Sequence, residues 1–349
     1  SDGSPDHLDT DDDNDSIFTI SEIGGDLNNP YDTQSKYDAI VDTDGDTVLN
    51  HLDVDDDGDS IFTLTEVGGN VVVPTDGSGA PDYDGDGIVD HLDTDDDGDT
   101  VLTLSECGGD AANPTDGSTC TDTDSDTLPD HRDTDDDNDS IQTIIETGGD
   151  LNNPSDTIST NDFDADGIPN HLDIDDDNDS LLTISEINGN INFPTTNPSE
   201  YTNLLDSDSD GSPNHLDVDD DGDSILTLTE VIGDVNSPTD LTNLQDFDGD
   251  GSPDFLDTDD DGDSLFTIDE IGGTRGTPTD YTGLPDADSD GFDNHHDIDD
   301  DNDSILTLTE VSGDPTNPTN IYDRRDTDGD YLPDFLDTDD DNDNVPTIN

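Results

Sequence analysis

The sequence predicts a chain built mostly of irregular loops with short β segments and no helices of note, arranged as a tandem-repeat rod of about 40 residues per repeat. Three observations predict it. The segment LDxDDD[GN]D recurs nine times, its first Asp at 9, 53, 93, 133, 173, 217, 257, 297 and 337 (His296 takes the Leu place in one copy). No stretch places apolar residues at helical spacing. Linkers rich in Gly and Pro, such as VGGNVVVPTDGSGAP at 67–81, separate the acidic segments.

The spacings between copies are 44, 40, 40, 40, 44, 40, 40 and 40 residues, the extra four falling after Pro30 and after Pro194, which suggests a super-period of 164. The units so defined are 1–41 (partial), 42–81, 82–121, 122–161, 162–205, 206–245, 246–285, 286–325 and 326–349 (partial). Within the second unit, DTDGDTVLNHLD (42–53) is a first acidic loop and DDDGDSIFTLTE (55–66) a second. SIFTL offers a few residues of strand. Gly68–Gly69 follows the last acid, where an EF-hand would begin its exiting helix, so a helix–loop–helix unit is not expected. Each unit is too small and too polar to fold alone, and neighbours are expected to stack.

Composition demands a counter-charge. The 349 residues include 99 Asp and Glu against five Lys and Arg, a net charge of −94, with 25% hydrophobic residues and neither Trp nor Met. Such a chain stays disordered unless its acids are neutralised. The same charge excludes nucleic acid and anionic membranes as partners, and no apolar run approaches the ~18–20 residues needed to span a bilayer. Ser1 is not an initiator Met and both ends fall inside a unit, so the array is expected to continue past them.

The acids sit at metal-ligand spacing. Asp at alternate positions converges carboxylates on one point when the backbone curls, and Ca²⁺ takes six to eight hard oxygens at roughly 2.3–2.6 Å, where Mg²⁺ demands a stricter octahedron. The first-loop candidates are Asp2, Asp6 and Asp9; Asp42, Asp44, Asp46, Asn50 and Asp53, with the Val48 carbonyl; Asp82, Asp84, Asp86, Asp90 and Asp93; Asp122, Asp124, Asp126, Asp130 and Asp133; Asp162, Asp164, Asp166 and Asp173; Asp206, Asp208, Asp210 and Asp217; Asp246, Asp248, Asp250 and Asp257; Asp286, Asp288, Asp290 and Asp297; and Asp326, Asp328, Asp330 and Asp337. The second-loop candidates are Asp11, Asp13, Asp15 and Glu22; Asp55, Asp57, Asp59 and Glu66, with the Ile61 carbonyl; Asp95, Asp97, Asp99 and Glu106; Asp135, Asp137, Asp139 and Glu146; Asp175, Asp177, Asp179 and Glu186; Asp219, Asp221, Asp223 and Glu230; Asp259, Asp261, Asp263 and Glu270; Asp299, Asp301, Asp303 and Glu310; and Asp339, Asp341 and Asp343. Residue 58 and its equivalents are always Gly or Asn, which tolerate positive φ and place a tight turn there. That register makes Asp53 a bridge between the two loops. Two or three Ca²⁺ per repeat are expected, making this a calcium-stabilised array.

Residues 42–66, DTDGDTVLNHLDVDDDGDSIFTLTE, resemble the thrombospondin type 3 class of calcium repeats. They are closer to the versions in large surface proteins of Bacteroidota, where units of the kind DGDGIPNYLDxDDDNDGILT are strung in series. The resemblance covers nearly the whole chain. It implies a secreted, cell-surface rod or filament, often part of an adhesin, with other copies of the chain as partners in a fibre. The cysteine pairs of animal members are absent, and the second-loop Gly is mostly Ser or Thr. The expected function is thus a structural stalk without catalysis; the alternative is an acidic secreted protein that buffers calcium or associates with mineral.

Three smaller patterns remain. His7, His51, His91, His131, His171, His215 and His295 share a column with Phe255 and Phe335, which reads as a packing ring rather than a ligand set. Cys107 and Cys120 occupy mainly apolar columns of one repeat and are expected to form a disulfide, in keeping with an oxidising exterior. Ser16, Thr47, Ser60, Thr100, Thr127, Ser140, Ser180, Ser224, Ser264 and Ser304 each follow Asp and precede Ile, Leu or Val at loop position 6. Asp-Ser/Thr-aliphatic resembles the O-glycosylation sequon of Bacteroidota, so a glycan on each repeat is one expectation; a hydroxyl bonded to the local backbone is the other.

Overall fold

The computed structural model describes residues 10–23, 41–69, 79–149, 154, 161–187, 205–241, 244–312, 318, 325–344 and 347. Asp2, Asp6 and Asp9, together with parts of the linkers, lie outside them. The described residues form two compact units, one holding those up to Asp162 with Asp166–Asp173, the other Phe163–Ala165 and those from Ile174 on.

Loops dominate each. Two short helical turns recur once per repeat. A 3-10 turn closes the first loop (Asn50–Leu52, Asp90–Leu92, Asp130–Arg132 and so on), and a single α turn closes the second (Thr63–Glu66, Thr103–Glu106 and so on). The α turns were not expected from sequence. Thr63 makes one possible: its amide donates to Val54 O at 3.1 Å, and its Oγ1 accepts the Asp56 amide at 3.0 Å. The turn stops at once because Gly68 is left-handed, φ +58°, and its amide and that of Gly69 return to Thr65 O and Leu64 O. The glycine pair thus limits the helix to one turn rather than forbidding it.

The expected short strands are reduced to isolated parallel bridges among the described residues, Ile61 with Thr115, Leu181 with Thr239 and Ile225 with Thr279. In the first, Thr115 donates to Ser60 O at 2.8 Å and Phe62 donates to Thr115 O at 2.9 Å. Each bridge joins the second loop of one repeat to the linker of the next, and two hydrogen bonds leave no ladder to extend.

The apolar interior is thin. Ile17, Ile61, Val101, Ile141, Leu181, Ile225 and Leu265 contribute one buried aliphatic per repeat, backed by Phe255, Phe335 and the buried imidazoles of the same column. Carboxylates fill most of the remaining buried positions, so hydrophobic burial alone does not account for the fold.

Candidate metal centres

Alternate aspartates shape both loops. In the second loop of repeat 2, Asp57 Oδ1 accepts the Asp59 amide at 3.2 Å, and Asp59 Oδ1 accepts the Ile61 amide at 2.6 Å. Asp55 takes the Gly58 and Ser60 amides at 3.1 and 3.2 Å. One oxygen of Asp57 and of Asp59 is therefore committed to the backbone two residues on. The other, Oδ2 in both, is buried without a hydrogen-bond partner, as are both oxygens of Glu66.

The fourth member of this set comes from the next repeat. Glu66 is pushed well above the ordinary carboxylate range by burial first, then by repulsion from Asp57, Asp59 and Asp96. Asp96 is the middle Asp of the DDD in repeat 3. The same reach recurs: Asp56 to Glu22, Asp136 to Glu106, Asp220 to Glu186, Asp260 to Glu230, Asp300 to Glu270 and Asp340 to Glu310. In the best-defined case, one oxygen from each of Asp261, Asp263, Glu270 and Asp300 lies within 4.8 Å of the others, and all four residues are buried. Asp261 Oδ2 and both oxygens of Glu270 and of Asp300 have no hydrogen-bond partner.

The sequence reading did not include this middle Asp among the candidate ligands. The signal was present: Asp holds the column in all nine copies although neither loop register uses it.

The geometry suits a hard divalent cation. The 4.8 Å span is about twice a ~2.3–2.6 Å Ca–O bond, so the four oxygens fit one coordination sphere. Four ionised carboxylates at that distance repel by at least about 3 kcal/mol per pair at an effective dielectric of about 20. Over six pairs this exceeds the ~5–15 kcal/mol that holds a whole domain. Protons or a cation must be present, and these clusters can hold a metal ion.

The first loop is more open. Asp44 Oδ1 accepts the Asp46 amide at 2.9 Å and Asp46 Oδ1 the Val48 amide at 2.6 Å, with both residues exposed. Asp53 stands where the loops meet: burial raises it, opposed by the Asp55 and Val54 amides, and Asp46 and Asp44 repel it. Asp55 is raised to about 6 by burial, with Asp53 and Asp44 adding repulsion. Residue 58 explains its Gly-or-Asn rule twice over. Its φ is positive (Gly58 +74°, Asn138 +62°), and it abuts the first loop: a Cβ on Gly58 would meet Asp44 Oδ2 at 2.9 Å, whereas Asn138 donates its amide to Asp124 Oδ2.

Asn50, Asp90 and Asp130, expected as first-loop ligands, each bond back to their own loop. Asn50 Oδ1 accepts the Thr43 amide at 3.1 Å and its Nδ2 donates to Thr43 Oγ1; Asp90 and Asp130 accept the Tyr83 and Thr123 amides at 3.0 and 2.8 Å. These bonds close the loop, and Asp90 Oδ2 stays buried without a hydrogen-bond partner. In repeat 6 the equivalent Asn214 also donates to the middle Asp220 at 3.1 Å, orienting it.

Several position-6 hydroxyls pack against the next repeat. All ten residues have φ between +80° and +91°. Ser16, Ser60, Thr100, Ser140, Ser180, Ser224 and Ser264 are buried. Ser60 sits against Gly109 of the next repeat, Thr100 against Gly149, and Ser180 Oγ accepts the Asp234 amide at 2.6 Å. Burial of those seven hydroxyls weighs against a glycan there in this arrangement. Thr47, Thr127 and Ser304 are exposed.

Cys107 and Cys120 are joined by a disulfide. His91, His131, His171, His215 and His295 are buried, as are Phe255 and Phe335, and His51 is half-buried. Burial lowers His91 and His131 to about 4, the Arg132 charge adding to the second.

Among the described residues no helix is long and apolar enough to cross a membrane. No protein-family model matches the chain, and no curated protein matches it.

Proposed function

We propose that the chain is an extracellular, calcium-binding structural array, a stalk or filament segment that supports an adhesive element at a cell surface. The observation that carries this is the cluster of Asp261, Asp263 and Glu270 with Asp300, in which one repeat donates three carboxylates and the next completes the set. An ion held there is a cross-link between repeats. Ca²⁺ fits best because the donors are all oxygen and the set mixes Asp and Glu. Two or three ions per repeat bring roughly four to six positive charges, which leaves the surface acidic and soluble. Folding and metal binding are then one event, and the array stiffens where calcium is plentiful.

Calorimetric calcium titration of the chain, with electron microscopy in calcium and in chelator, tests the reading. Two to three Ca²⁺ per repeat and straight rods that become coils in EDTA are expected. Irregular particles in both conditions would reject the stalk and leave calcium buffering or mineral association.

A further inference from the structure

The repeat that breaks the Leu column at 296 builds a cluster of different chemistry. Asp260, His295 and His296 each offer one ligand atom, and the three atoms lie within 4.8 Å of one another. His295 is 1% exposed, and neither of its ring nitrogens has a hydrogen-bond partner. His296 Nε2 is buried, 3.9 Å from Asp260 Oδ2 and 3.7 Å from Asp254 Oδ2. Neither Asp254 Oδ2 nor either oxygen of Asp260 is hydrogen-bonded. Aromatic rings wall the pair: Phe247 stacks on His296 at 4.7 Å, and Tyr281 lies 5.4 Å from His295 and 5.6 Å from His296.

The matching place 164 residues earlier shows what this pocket asks for. There Arg132 takes the Leu position, Asp90 and Asp96 stand for Asp254 and Asp260, and Tyr83 stands for Phe247. The Arg132 guanidinium is 3.9 Å from Asp96 Oδ2 and 5.2 Å from the centre of the Tyr83 ring. One copy thus seats a permanent cation between the two acids. The other seats two imidazoles, whose rings are only 4.1 Å apart although they belong to adjacent residues.

We propose that Asp260, His295 and His296, with Asp254 beside them, bind a divalent transition-metal ion of the zinc class. Two nitrogens and one or two carboxylate oxygens form the tetrahedral donor set such ions prefer, whereas Ca²⁺ selects oxygen alone. Asp260 also faces Glu230, so its carboxylate links this centre to the all-oxygen centre of the preceding boundary. The array therefore carries one nitrogen-containing metal lock among its oxygen-only ones.

The test is a Zn²⁺ titration of the full chain saturated with Ca²⁺, followed by calorimetry, with Co²⁺ visible absorption as the report of tetrahedral nitrogen coordination. One tight Zn²⁺ that excess Ca²⁺ does not displace is expected. His296→Leu restores the residue usual in that column, and His295→Phe installs the residue found at 255 and 335, so both variants suit the fold. Each should weaken that Zn²⁺ by more than the roughly 10–100-fold that loss of a supporting contact costs, and abolish the Co²⁺ bands. Calcium stoichiometry should not change. His215→Phe, in a repeat with Leu216, should leave zinc binding as it is. A Zn²⁺ isotherm identical in the wild type and His296→Leu would overturn the proposal and make His296 an ion-pairing counterpart of Arg132. So would the absence of a saturable site.

Discussion

Ser60 of one repeat packs its hydroxyl against Gly109 of the next, so closely that a Cβ on Gly109 would run into Ser60 Oγ. Gly109 has no positive φ to explain it; close approach is the whole reason for the glycine. Gly149 meets Thr100 and Gly273 meets Ser224 in the same way. The hydroxyl that replaces glycine in one loop is matched by a glycine retained in the following linker.

Gly109→Ala should therefore loosen one boundary. Overpacking of this kind costs about 1–3 kcal/mol. A new protease cut between repeats 2 and 3, with calcium still bound elsewhere, is the expected result of limited proteolysis. Unchanged protection would mean that the two segments do not pack.

Asp300→Asn removes the ligand that crosses into the preceding repeat. Calorimetry should show one Ca²⁺ fewer, or that ion weakened by at least about 10-fold, with lost protection confined to the boundary between repeats 7 and 8. An unaltered isotherm would place the middle Asp outside the coordination sphere.

Asp53 and Asp42 separate sharing from local binding. Asp53→Ala should reduce calcium binding in both loops of its repeat, since its carboxylate is near Asp44 and Asp46 and next to Asp55. Asp42→Ala should affect only the first loop. Equal losses on calorimetry of the two variants would argue against a shared carboxylate.

Acid and calcium should substitute for one another. Burial, then repulsion, raises Asp57 to about 10, and burial leads in raising Asp59 to about 7 and Asp96 to about 9. A group raised on folding stabilises the fold fully below its unfolded pKa, near 4, and loses that contribution as pH rises through the folded value. In chelator, circular dichroism and protease resistance should therefore be best at and below about pH 4 and fall from there to pH 10. In calcium the ion replaces the protons, so acid should release it. Chelated protein that is as well protected at pH 8 as at pH 4.5 would contradict this.

Mass spectrometry of native material should find peptides spanning Ser60 and Ser224 unmodified, and any glycan on exposed Thr47, Thr127 or Ser304. A glycan at Ser60 would exclude its packing on Gly109.

The repeat, its 40- and 44-residue spacing, the two acidic loops and the Gly-or-Asn turn were all legible in the sequence, because each depends on neighbours within a dozen residues. The disulfide was legible too, since two cysteines in apolar columns of one repeat have few other uses. What the sequence could not decide is which repeat completes which site. Asp96 lies thirty residues beyond Glu66 and reads as one acid in a run of three; only the stacking of repeats carries its carboxylate back to Asp57 and Asp59. The same holds for the Ser60 hydroxyl, whose packing on Gly109 of the next repeat its local sequence does not reveal. Local spacing dictates how each loop curls, through hydrogen bonds two residues long. Packing between repeats decides whether an exposed-looking Asp or Ser becomes buried, and hence whether it binds an ion, seals a boundary or faces solvent.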